Sequence, residues 1–203
     1  MRLLRCGQDS LLVELDSLEQ VGALHTALVA ARLPDLVELV PAARTVLVSA
    51  RPGSTGLAAA RAVIESADLS RPPDRSPRTI RLPIRYDGPD LDLVAETAGL
   101  TVDEVVELHS GAEYTVAFCG FAPGFGYLTG LPEPLRQPRL ARPRERVPAG
   151  SVGVAGEFTG AYPRASPGGW RLIGRTTAIL FDPRRTEPAL LAPGDLVHFE
   201  VAR

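Results

Sequence analysis

The 203-residue chain contains no lysine and no asparagine, so all 22 of its basic side chains are arginine. Those absences remove whole chemistries, because a Walker A phosphate loop and a Schiff-base enzyme each need a lysine and N-glycosylation needs an asparagine. A GC-rich coding sequence explains the bias better than selection for arginine's planar fork. Cysteine is scarce as well. Cys6 and Cys119 make at most one bridge, which is not how a small secreted scaffold is stapled, and a reducing cytoplasm is the expected setting. Long apolar runs are missing. Arg2, Arg5 and Gly7 interrupt the start before a signal-peptide core can form, and the stretch from Val21 to Leu33 carries His25 and Arg32, short of the ~20 apolar residues of a membrane span. Excess charge is missing too, and a net charge of -2 gives no electrostatic case for a nucleic-acid or membrane partner. His25, His109 and His198 are scattered, and neither a C-x-x-C pair nor H-E-x-x-H occurs, so no metal site is expected. The nucleophile elbow G-x-S-x-G is absent.

The remaining composition, 45% hydrophobic and 23% charged, is that of a globular protein. A chain of this length folds as one large domain or two small ones, and packed as one body it would bury roughly 70% of its surface. Leu11 to Leu15 reads as a strand, followed by a capping box of Ser17 and Gln20 and a helix to about Leu33. Leu36 to Val40 and Thr45 to Ala50 read as strands, and Ser54 caps an alanine-rich helix through about Ala67. The order β-α-β-β-α predicts a small ferredoxin-like α/β sandwich. Residues 68–77 have the proline and charge density of a linker, which places a domain boundary between 1–77 and 78–203.

Thr79 to Tyr86 then alternates Ile80, Leu82, Ile84 and Tyr86 against Arg81, Pro83 and Arg85, a strand with an edge proline. Asp90 caps a helix near Leu91 to Ala98, and Thr101 with Glu104 forms a capping box on a second, whose Val102, Val105, Val106 and His109 share a face. Short β-like runs follow at Tyr114 to Cys119, Ser151 to Ala155, Trp170 to Ile173, Ala178 to Phe181 and Leu196 to Val201. Long Gly/Pro loops separate them, which predicts a closed or nearly closed β-barrel.

Loops on a rigid barrel are where sites usually live. In Gly120 to Gly130 the glycine spacing and the prolines at 132 and 134 argue against a dinucleotide site. Phe121, Pro123, Gly124, Phe125 and Tyr127 fit either a pocket wall where backbone amides meet a ligand or a buried barrel corner. Arg136 to Arg146 holds five arginines in eleven residues, an anion site or a solvated face. Thr159 to Pro163 and Ser166 to Trp170 read as two tight-turn clusters whose Thr159, Tyr162, Ser166, Gly168, Gly169 and Trp170 line a ligand pocket or merely shape turns around a core tryptophan. Arg175 either presents its guanidinium to a carboxylate or phosphate at the pocket mouth or ties two loops by pairing with Asp182 or Glu157. Ten residues across a helix-to-strand connection separate His109 from Cys119, so a thiol–imidazole dyad is not expected.

Taken together, His109-Ser110-Gly111, the run from Gly120 to Leu128, Pro138-Arg139, Pro143-Arg144, Val147 to Val152, Thr159 to Pro163, Ser166 to Trp170, Ile173 to Thr176, Leu180 to Asp182 and Pro193-Gly194-Asp195 resemble the KipI/PxpB family, also called allophanate hydrolase subunit 1. Gly126 departs from the proline of many relatives. The resemblance implies an N-terminal α/β domain and a C-terminal cyclophilin-like β-barrel. It implies a cytoplasmic, non-autonomous enzyme subunit of the kind found as the PxpB component of bacterial ATP-dependent 5-oxoprolinase, which opens 5-oxo-L-proline to L-glutamate. The implied partners are a paralogous larger subunit (PxpC/KipA-like) and a third subunit (PxpA-like), with ATP used by the complex and not necessarily bound by this chain. Alternatives within the family are an inhibitor of a sensor histidine kinase and a subunit of an allophanate, urea amide-hydrolysing or carboxyltransferase complex.

Overall fold

A computed structural model describes residues 1–70 and 77–202. The chain divides into two compact units, Met1–Ser76 and Pro77–Arg203. Residues 71–76 of the expected linker lie outside the described residues.

The first unit is a four-stranded antiparallel sheet with two helices: β1 (Arg2–Arg5), β2 (Ser10–Glu14), α1 (Leu18–Ala30), β3 (Leu36–Pro41), β4 (Thr45–Ala50) and α2 (Gly56–Ser66). Its strand order is β1-β2-β4-β3. The ferredoxin outline expected from β-α-β-β-α would put a last strand after the second helix; here the edge position beside β2 is taken by β1, which comes before it. Alternation explains which face is buried. Val13, Val46 and Val48 point to one side of the sheet and pack against Val21, Leu24 and Leu28 of α1 and Ala60 and Ile64 of α2. Ser17 caps α1 by accepting from the Gln20 N–H at 3.4 Å, while Gln20 Oε1 accepts from the Asp16 N–H. The cap of α2 shifts by one residue, since Thr55 sits at the cap position and Ser54 Oγ accepts from the Gly56 N–H.

The second unit runs β5 (Thr79–Ile84), α3 (Leu91–Ala98), α4 (Val102–Gly111), β6 (Tyr114–Cys119), β7 (Gly126–Thr129), a 3-10 turn at Glu133–Leu135, β8 (Arg144–Val147), β9 (Ser151–Ala155), β10 (Phe158–Ala161), β11 (Ser166–Gly168), β12 (Arg171–Arg175) and β13 (Leu196–Val201). Seven strands form one sheet in the order β12-β9-β10-β7-β6-β13-β5, and β11 pairs with β8 in a separate ribbon. The sheet curls until its two ends meet. Arg85, just past β5, and Arg175 exchange both backbone N–H···O bonds at 2.9 Å, and the Gly88 and Asp90 N–H groups donate to Ile173 and Leu172. The barrel is therefore nearly closed, by a seam one bridge long. Gly88 is required there, because a Cβ at this position would lie 2.3 Å from the Leu172 carbonyl oxygen. Inside the barrel, Leu82, Ile84, Val116, Leu128, Val154 and Phe199 form the main core with Val105 of α4 and Val94 of α3.

Several expectations need correction. Thr159 to Ala161 is not a turn but part of β10, in the middle of the sheet, and Ser166–Gly168 is a strand. Gly160 carries no side chain in this strand because a Cβ there would lie 2.8 Å from the Gly126 carbonyl oxygen and 3.2 and 3.3 Å from the Phe125 and Trp170 rings. Ala178 to Phe181 is not a strand; Leu180 and Asp182 instead pair across a loop, accepting from the Leu190 N–H and donating to the Pro188 carbonyl. Asp90 stands at the α3 cap position without capping it, since its carboxylate accepts from the Leu172 N–H and from Arg144 Nη2, each at 2.7 Å. Thr101 and Glu104 make the complete reciprocal box on α4. Thr101→Ala is expected to cost about 1 kcal/mol and lower the melting temperature by a few degrees, as read from a thermal melt against the parent chain.

Candidate functional site

β10 places side chains on both faces of the barrel wall. Thr159 and Ala161 face the interior, and Phe158 and Gly160 face outward into a layer of aromatic rings. Phe125 is the centre of that layer, with Tyr127, Phe121, Tyr162 and Trp170 around it at ring-centroid distances of 5.0 to 5.4 Å, each edge to face. Tyr127 also stacks on Phe118 at 4.4 Å. The structure thus brings Phe121, Phe125, Tyr127, Tyr162 and Trp170 together. Phe125, Tyr162 and Trp170 are packed away from solvent, whereas Phe121 is 56% exposed.

The loop that delivers Phe121 is strained. Its φ is +65°, and the Ala122 N–H donates to the Gly120 carbonyl at 2.7 Å, which makes Gly120–Ala122 a γ-turn with positive φ at its centre. A bulky residue held there costs on the order of 1–3 kcal/mol. Gly124, at φ +84°, brings the backbone against Leu180 and Phe181, where a Cβ would come within 2.8 Å of both. Its close approach is therefore to the chain itself. Pro123 is exposed beside it.

A ribbon and a strap border the rings. Ser166 lies across from Val147, a member of the aromatic cluster, and Gly168 lies across from Arg144. A Cβ on Gly168 would sit 2.6 Å from the Tyr162 hydroxyl, and Gly169 rests on Pro143. The arginine-rich strap is tied down at two points. The Leu140 N–H donates to the Gly169 carbonyl, and buried Gln137 receives the Gly156 N–H on its backbone and Arg171 Nη1 on its side chain. Along this strap Arg139, between the ties, and Arg136 and Arg142, on either side of them, are exposed. Among the described residues these three have no ion pair, while Arg144 is held by Asp90. Burial raises the Tyr127 and Tyr162 phenols, and the nearby Arg139 charge offsets part of that rise in both.

Thr159 and Arg175 are not in this layer. Arg175 projects from the seam and pairs with Asp87 at 2.8 Å, rather than with Asp182 or Glu157; Asp182 holds Arg184 and Arg185. It lies five residues along the chain from Trp170, roughly 16 Å in extended backbone. Thr159 belongs to a buried polar chain that sequence reasoning missed. Its Oγ1 lies 3.0 Å from His109 Nε2 and donates to the Gly153 carbonyl at 3.0 Å, and His109 Nδ1 lies 2.7 Å from the Tyr86 hydroxyl. Because the one hydroxyl proton of Thr159 goes to Gly153, His109 must carry its proton on Nε2 and accept from Tyr86 on Nδ1. Fully buried, the imidazole is pushed down to about 3 and stays neutral. The helix-face spacing that put His109 beside Val105 was the available signal. Cys119 does not meet His109; its thiol points at the Leu191 carbonyl, and burial, with the Asp195 charge adding, pushes it up to about 11, which disqualifies it as a nucleophile at neutral pH.

Among the described residues no three His, Cys, Asp or Glu side chains are grouped to hold a metal ion, and no helix is long and apolar enough to cross a membrane. The chain belongs to the family described as carboxyltransferase domain, subdomain C and D, whose model matches residues 1–191. Within that family it is 49% identical over 171 residues to the 5-oxoprolinase B subunit of Escherichia coli O157:H7, a match that takes in 82% of this chain and 78% of that protein. Among solved structures, TTHA0988 superposes with a TM-score of 0.85 at 35% identity over 97% of this chain and 40% of its own. The Kluyveromyces lactis urea carboxylase superposes at 0.77 over 99% of this chain and 22% of its own, and at 19% identity that likeness shows the fold alone. The chain therefore spans two fifths of the length of TTHA0988 and about a fifth of the urea carboxylase.

Proposed function

We propose that this chain is the PxpB-type component of an ATP-dependent 5-oxoprolinase, a cytoplasmic assembly that opens the cyclic amide of 5-oxo-L-proline to L-glutamate. The observation that carries this reading is the 49% identity, over most of both chains, to the E. coli 5-oxoprolinase component. The residue inventory argues for a non-autonomous role. Without lysine the chain has no P-loop, its partly buried Cys119 thiol is held protonated, and its buried His109 is neutral and hydrogen-bonded on both nitrogens. The ATP chemistry is accordingly assigned to a partner, a larger PxpC/KipA-like subunit with a PxpA-like third subunit, and this chain supplies part of a shared site. That TTHA0988 carries a further three fifths of sequence beyond the matched part supports a module that works beside other domains. In the same reading the barrel is of the cyclophilin-like type and residues 1–77 form its companion domain. The relatives' names do not favour the histidine-kinase inhibitor.

The purified chain alone is expected to release no glutamate from 5-oxoproline and ATP, and the chain mixed with the two partner subunits is expected to do so. Glutamate release by the isolated chain refutes the non-autonomous role, and no release by the full mixture refutes the oxoprolinase assignment.

A further inference from the structure

We propose that Arg139, at the rim of the aromatic layer, is the carboxylate anchor of a site for a small ring-bearing acid, whose ring lies against Phe121 and Tyr127. With respect to the substrate this rests on the oxoprolinase reading, since 5-oxoproline is such an acid.

Two features meet at this rim. The first is Phe121, a large apolar ring left exposed at the centre of a strained turn, beside buried rings that would otherwise have taken it in. Backbone strain at an exposed aromatic persists where the surface is used. The second is Arg139, whose neighbour Leu140 is bonded to Gly169 and so fixed next to Trp170 and the Tyr162 hydroxyl, yet whose guanidinium has no acidic partner among the described residues. A guanidinium presents a planar fork that matches a carboxylate. The effect of the Arg139 charge on both Tyr127 and Tyr162 agrees with that placement. The arrangement discriminates by chemistry. A carboxylate gains the fork, a ring of five or six atoms gains the exposed aromatic faces, and a neutral ring lacking the acid gains only the second.

Trp170 is the only tryptophan and sits in the layer, so its fluorescence reports the site without a label. Titration of the full chain, alone and with its partner subunits, is expected to show a saturable change with 5-oxoproline and one at least tenfold weaker with pyrrolidin-2-one, the same ring without the carboxylate. Arg139→Ala should weaken 5-oxoproline tenfold to a hundredfold and leave pyrrolidin-2-one unchanged, while Arg142→Ala, on the same strap, serves as the control. In the reconstituted assembly Arg139→Ala should raise KM by a similar factor with an unaltered melting temperature. Normal binding and normal KM in Arg139→Ala overturn the anchor and leave the oxoprolinase reading standing. A tryptophan response to carboxylates that Arg139→Ala abolishes, in an assembly that does not turn over 5-oxoproline, supports the anchor and removes the substrate. No saturable response in either the chain or the assembly overturns the site.

Discussion

Between pH 6.5 and pH 5 the chain is expected to lose stability steeply, and His109→Gln is expected to lose much less. His109 is neutral in the fold, where burial holds it at about 3, and titrates near 6.5 once unfolded. Below 6.5 the unfolded chain therefore binds a proton that the native chain refuses. Stability from this group is complete above the unfolded value and falls as pH drops toward 3, with a slope approaching about 1.4 kcal/mol per pH unit. His25, lowered by burial in the first unit, acts in the same direction, so the glutamine variant keeps a residual slope. Glutamine is chosen because its amide can still serve Tyr86 and Thr159 without titrating. Denaturant midpoints at half-unit pH steps check this, in the range where carboxylates remain ionised. Equal slopes for the two proteins would show that the imidazole is not excluded from protonation as described.

The second large effect is expected at the barrel seam. In Gly88→Ala the new methyl meets Leu172 O, Ile173 C and Gly174 N at 2.3 to 2.5 Å, all of them backbone that no rotamer change can clear. The segment from Arg85 to Asp90 must move away, and the hydrogen bonds that join the sheet's ends go with it. Overpacking at about 1–3 kcal/mol plus lost hydrogen bonds at about 1 kcal/mol each gives a loss of several kcal/mol. For a chain of this size that corresponds to a melting temperature lower by on the order of 10 °C. Gly111→Ala, where a Cβ meets nothing within 4 Å, is the control and should melt near the parent. A Gly88→Ala protein that melts with the parent would mean that the seam does not close the barrel.

The sequence disclosed those elements whose signals are local. Tyr114–Cys119, Ser151–Ala155 and Leu196–Val201 are readable to the residue, because apolar runs bounded by turn residues mark their ends. β1 was hidden because its residues, Arg2 to Arg5, are mostly exposed on a sheet edge and carry no apolar alternation. β10 and β11 were hidden for the opposite reason: Gly160 and Gly168 are glycines because the Gly126 carbonyl and neighbouring rings crowd them, and read locally they look like turns. The same distinction governs the site. Aromatic residues interleaved with glycine announced the layer around Phe125. That Thr159 would turn away from it toward His109, or that Arg175 would find Asp87, depended on strand alternation and on seam partners some ninety residues apart in the chain.

The parallel pairing of β13 with β5, Leu196 against Thr79 through Val201 against Ile84, also fixes an order of events during synthesis. The sheet of the first unit and its two helices are complete by Ser66 and can form as soon as that stretch leaves the ribosome. The barrel cannot. Its first strand must wait for its last as a neighbour, and until then β5 and β6 expose edges that β13 alone covers. A nascent chain stalled anywhere between Cys119 and Leu196 thus displays open, apolar strand edges, and this interval is where holding chaperones would find their substrate.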